Sequence, residues 1–186
     1  MTDAGRRHAV LSRPGFLGIS ALVFLLAGAL PITAAGRDPR TTATAPETWV
    51  TYVDEKYGTV VSYPALRFTP EPPPDAYDGR SFTTHDGARL AVFAHFNVLD
   101  ETIASLDASL KGEDYAEITY RAGSSRWFVV SGYRMVDGRR SVFYEKRILS
   151  RGGDVVHGLV ITYPAPLKNT YDPIAIRIAR SFGPSR

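Results

Sequence analysis

The stretch RWFVVSGYRMVDGRRSVFYEKRILSRGGDVVHGLVITY, residues 126–163, decides the fold. Three apolar runs, about 126–136, 139–149 and 155–163, are separated by Asp137-Gly138 and by Arg151-Gly152-Gly153-Asp154. Asp-Gly and Gly-Gly supply the positive φ angles that tight hairpin turns require. The runs therefore read as an antiparallel three-strand meander. Counting outward from the turns sets the register: Tyr133 faces Val142, Val129 faces Lys146, Ile148 faces His157 and Tyr144 faces Ile161. Side chains alternate across a sheet, so Trp127, Val129, Val142, Tyr144, Leu159 and Ile161 share one face. Phe128, Val130, Phe143, Leu149 and Val156 share the other. A sheet apolar on both sides needs cover on both sides. The expectation is an α+β fold: an antiparallel sheet with a C-terminal three-strand meander, covered by helices.

Earlier strands are expected near 58–63, 81–84, 89–97 and 116–121, with His85-Asp86-Gly87 as a further turn. Two helices follow from capping and periodicity. Asp100 is read as an N-cap, Ile103, Leu106 and Leu110 form a stripe, and Gly112 closes it. Asp172-Pro173 is read as the start of the second helix, with Ile174, Ile178 and Phe182 on one face. The proline-rich stretch from Thr69 to Gly79 is stiff and extended, either a surface crossover or a recognition loop.

The N-terminus reads as an export signal. Arg6, Arg7 and Arg13 precede an uncharged apolar run from Phe16 to Leu30; Pro31 breaks it, and Ala35 closes a small-residue cleavage site. A spanning helix needs about 20 apolar residues, more than this run offers. The expected organisation is a signal peptide over 1–35, a flexible linker over 36–48, one α+β domain over 49–182 and a tail over 183–186. The protein would then be periplasmic or secreted and bacterial; the alternative is an inner-membrane anchor formed by residues 16–30. There is no cysteine, so neither a lipid-bearing cysteine nor a disulfide is available. The chain carries net charge +3. Residues 1–35 hold three Arg and one Asp, +2 of that total, which leaves about +1 for the rest. A basic chain raises nucleic acid as a partner; here most of the excess leaves with the signal, and no nucleic-acid partner is expected.

Chemistry-bearing patterns are sparse. His85, His95 and His157 lack metal-ligand spacing, no nucleophile elbow occurs, and no metal or cofactor is expected. Glu145 and Arg147 interrupt an apolar strand and, with His157, are candidate ligand-binding groups; the same residues would serve an envelope hydrolase of unfamiliar type. The register puts Glu145 and His157 on opposite faces, which counts against a joint catalytic site. Residues 58–65 echo residues 158–165, each with a Tyr-Pro strand end, and this adds Tyr63 and Tyr163 as candidates. No catalytic residue is assigned.

Trp49-Val50 with Tyr52, followed by Tyr57-Gly58, Val60-Val61 and Tyr63-Pro64, resembles the opening of PsbP-like domains. The element order resembles it too. That superfamily resembles the Ran-binding Mog proteins and several small bacterial envelope proteins of the DcrB and LpqN type. The resemblance implies an antiparallel sheet between helices across 49–182. It also implies a non-enzymatic binding or assembly module whose partner is an envelope protein or a small ligand.

Overall fold

The computed structural model describes residues 47–110 and 117–185. The signal segment with Ala35, the linker up to residue 46 and the Gly112 helix stop lie outside the described residues. Among the described residues ten strands and two helices follow in order: β1 Trp49–Asp54, β2 Thr59–Pro64, β3 Thr69–Pro70, β4 Gly79–Thr83, β5 Arg89–Phe96, α1 Ile103–Ser109, β6 Glu117–Gly123, β7 Trp127–Val136, β8 Arg139–Leu149, β9 Val155–Pro164, α2 Lys168–Ser181 and β10 Gly183–Pro184. They form a seven-stranded sheet, β3-β4-β5-β9-β8-β7-β6, and a three-stranded sheet, β1-β2-β10, with antiparallel pairing throughout.

The meander of β7, β8 and β9 has the register read from the sequence. Tyr133 pairs with Val142, Val129 with Lys146, Ile148 with His157 and Tyr144 with Ile161. The β7–β8 turn shows why. Val136 pairs with Arg139, and the two residues between have φ of 49° at Asp137 and 73° at Gly138. Two successive positive φ values make the turn whose twist matches that of the flanking strands.

Each face of the large sheet has its own core. Val142, Leu159, Ile161 and Tyr163 join Leu90 and Val92 of β5 against Val61 of β2 and Tyr171, Ile174 and Ile178 of α2. On the reverse face Phe128, Val130, Phe143 and Val156 pack under Ile103 and Leu106 of α1. The two-sided apolar sheet is thus covered on both sides, as its residue pattern requires.

Four elements differ from the sequence reading. The cap of α1 is Thr102, not Asp100: Thr102 Oγ1 accepts from Ser105 N at 3.1 Å, and Ser105 Oγ accepts from Thr102 N at 2.9 Å. Asp100 instead takes the positive φ of the preceding turn, 49°. Helix α2 starts at Lys168, behind a 3₁₀ turn Ala165–Leu167, so Pro173 lies inside it. Proline is normally excluded there because it removes one helical hydrogen bond. Residue 169, whose carbonyl would have accepted that bond, is exposed, so water can replace the lost donor. Strand β1 was not anticipated as a strand, and β10 falls in the segment read as tail.

Candidate functional site

The β6 edge of the large sheet lies beside the C-terminal half of α2. A groove of about 390 Å³ opens there between α2 and strands β6, β7 and β8. Alternation builds its floor. Trp127 and Val129 of β7 and Tyr144, Lys146 and Ile148 of β8 all point to the α2 side of the sheet, and Tyr120 of β6 extends this wall at the edge. Ile176, Ala179 and Arg180 of α2 form the opposite wall. The size falls within the range of small-ligand sites, and apolar walls with few polar groups are typical of them.

The aromatic walls are open to solvent. Trp127 is 38% exposed, Tyr120 56% and Ile176 52%, a contiguous apolar surface that the chain leaves uncovered among the described residues. Lys146 is the polar group of the floor. Its Nζ donates to the Ala179 carbonyl at 3.0 Å and lies 5.7 Å from the centre of the Phe182 ring. Burial holds its pKa below the ordinary lysine value. A second cleft, about 780 Å³, lies beside α1 on the other face. It is larger, but its two charged lining residues, Asp107 and Arg121, are paired with each other. No charge there is left for a ligand, so chemistry favours the smaller groove.

The five residues singled out from sequence do not form one site, although Glu145 and Arg147 meet. Glu145 is buried on the α1 side of β8, where its Oε1 lies 2.6 Å from Arg147 Nη2. The Arg147 guanidinium stacks on Phe93, 4.3 Å from the ring centre. Gly158 makes room for this stack; a Cβ there would come within 2.5 Å of Arg147 Nη1. His157 is buried on the opposite side, and its Nδ1 shares a 2.8 Å hydrogen bond with Thr59 Oγ1 of β2. The sheet therefore lies between Glu145 and His157, as the register required. Tyr163 stacks on Tyr171 with ring centres 5.3 Å apart and donates its hydroxyl to Asp172 at 2.7 Å. Burial, reinforced by that carboxylate, pushes its pKa up. Tyr63 packs against Phe82 at 4.4 Å. The groove residues were missed as a site because Trp127 and Tyr144 read simply as members of a core face. The available signal was Lys146, a charge on that same apolar face.

No family model matches the chain, and no curated protein matches it. Solved structures do. Cyanobacterial PsbP (CyanoP) from Synechocystis superposes with a TM-score of 0.56 at 14% identity, covering 79% of this chain and 99% of that one. The fold is PsbP-like. The Ran-binding protein Mog1p of Saccharomyces cerevisiae shares it at a TM-score of 0.53 and 10% identity, over 74% of this chain and 95% of that one. LpqN of Mycobacterium tuberculosis, involved in cell envelope biogenesis, gives a TM-score of 0.47 at 13% identity, over 76% of this chain and 86% of that one. The PsbP-like fold and the α+β sheet between helices are thus as the sequence implied. No helix among the described residues is long and apolar enough to cross a membrane.

Proposed function

We propose that this protein is an exported, non-enzymatic binding module of the bacterial envelope. Its PsbP-like domain would take the apolar part of a small ligand into the groove between α2 and β6–β8. One observation carries the reading: an open groove walled by Tyr120, Trp127, Tyr144 and Ile176. Chemistry elsewhere is weak. A hydrolase built on Glu145, Arg147 and His157 would need these groups within hydrogen-bond reach of one substrate, and His157 sits on the opposite side of the sheet from the Glu145–Arg147 pair. The Ran-binding neighbour Mog1p offers a precedent for a binding role on this fold.

Two measurements test the proposal. Trp127 lies in the groove, and the chain has one other tryptophan, Trp49, which stacks under Arg177 at 4.0 Å. In a Trp49→Phe variant, adding 1-decanol should shift tryptophan emission saturably. A protein whose emission and melting temperature ignore decanol would sink the groove reading. Mass determination of the protein recovered from cells should place the mature N-terminus at Gly36; retention of residues 1–35 would replace release with a membrane tether through residues 16–30.

A further inference from the structure

Six of the seven ion pairs among the described residues join an Arg or Lys to a carboxylate. Lys146 and Arg180 are among the nine described Arg and Lys residues that do not take part. Neither has a carboxylate within 4 Å among the described residues, and both line the same groove. Lys146 is half-buried on the groove floor; Arg180 is exposed at its rim. Among the described residues, two cations with no paired carboxylate thus flank a surface that is otherwise aromatic and aliphatic.

We propose that the groove takes an amphiphilic anion, its apolar chain lying against Tyr120, Trp127 and Ile176 and its acid group bound by Lys146 Nζ, with Arg180 at the mouth. This rests on the binding role proposed above and names the ligand's chemistry. The geometry has capacity for it. Lys146 spends one N–H on the Ala179 carbonyl, and an ammonium has three. Two donors remain for an acid group. Docking to a carbonyl in the last turn of α2 also explains part of why a lysine tolerates this place, since cations are favoured at helix C-termini. Arg180 stands in that same last turn, so the helix terminus favours both cations; what it does not account for is the aromatic and aliphatic surface they share. Burial already disfavours the charged ammonium, and an acid group beside it would restore the charged form. The apolar walls exclude a small, fully hydrated anion as the preferred occupant, because it would leave the aromatic surface uncovered.

The test compares two probes of equal chain length, decanoate and 1-decanol, by calorimetry on the mature protein. Decanoate should bind roughly tenfold to a hundredfold tighter, the usual gain from a charge-assisted hydrogen bond. Lys146→Met should abolish that preference while keeping decanol binding, and Lys146→Arg should retain it. Arg180→Gln, at an exposed position, should weaken decanoate alone by a smaller factor. Equal affinity of the wild type for both probes, or a preference that survives Lys146→Met, overturns the anion assignment and leaves the groove intact. Binding of neither probe removes the groove reading itself. Should Lys146→Met not fold, the wild-type ratio and its reduction in Arg180→Gln decide the matter.

Discussion

His157 shows how one side chain can join two sheets. It sits on β9 of the large sheet, and its partner Thr59 sits on β2 of the small one, 98 residues away. Burial holds its pKa below the ordinary histidine value, against the opposing influence of Asp54 and Asp154. The folded state therefore prefers the neutral ring. The unfolded chain takes up a proton near pH 6.5, so it binds more protons than the fold just below that pH. Stability is then retained above about pH 6.5 and lost as the pH falls below it. Denaturant titrations at pH 8 and pH 5 should show this loss, and His157→Gln should lessen it. Thr59→Val keeps the shape but strands the imidazole nitrogen; it should cost about 1–3 kcal/mol at pH 8, read from the denaturation midpoint. The buried Asp54 beside this contact spends Oδ1 on the Lys56 and Tyr57 amides, and its Oδ2 has no hydrogen-bond partner among the described residues. Any acid-limb measurement on His157 therefore needs an Asp54→Asn control.

Turns and caps carry the argument at the level of single elements. A Cβ on Gly138 would meet nothing within 4 Å, so its φ of 73° is the sole objection to a side chain. Gly138→Ala should cost about 1–2 kcal/mol through backbone conformation alone. Gly132 is the opposite case. Its added Cβ would lie 1.9 Å from the Glu117 carbonyl, on the strand it pairs with. Gly132→Ala should therefore detach β6 locally, visible as faster amide exchange in 117–123 with β8 and β9 still protected. Thr102→Ala should cost α1 about 1 kcal/mol. The meander was legible because Asp-Gly and Gly-Gly turns fix strand phase by local backbone geometry. The start of α2 was not. Asp172-Pro173 has the composition of a helix start, yet Tyr163 and Lys168 hold the Asp172 carboxylate, and the preceding turn Ala165–Leu167 already points the chain into the helix. Asp100 does not cap for a similar reason: the Thr102 amide that a cap there would accept from donates to Ser105 Oγ, and Thr102 itself caps the helix.

Across the whole molecule α2 is the keystone, because one face of it completes the larger core. Ile178 is fully buried against both β2 and the large sheet. Ile178→Ala should lower unfolding free energy by about 2–5 kcal/mol through the cavity it leaves. By shifting α2 it should also weaken decanol binding in the groove, a coupling that titration of the variant would reveal. The residue order by itself determined the strands of the meander, their register, the two apolar faces and the demand for helices on both, because alternation and turn chemistry are local and periodic. It likewise placed Glu145 and His157 on opposite faces. Tertiary structure alone decided that α2 and the β6–β8 part of the sheet leave an opening between them, with Trp127 and Tyr144 on its walls. It also decided that Lys146 and Arg180, 34 positions apart, share one opening. Such outcomes depend on how a helix seats against a sheet, and that is a property of packed elements that no local pattern encodes.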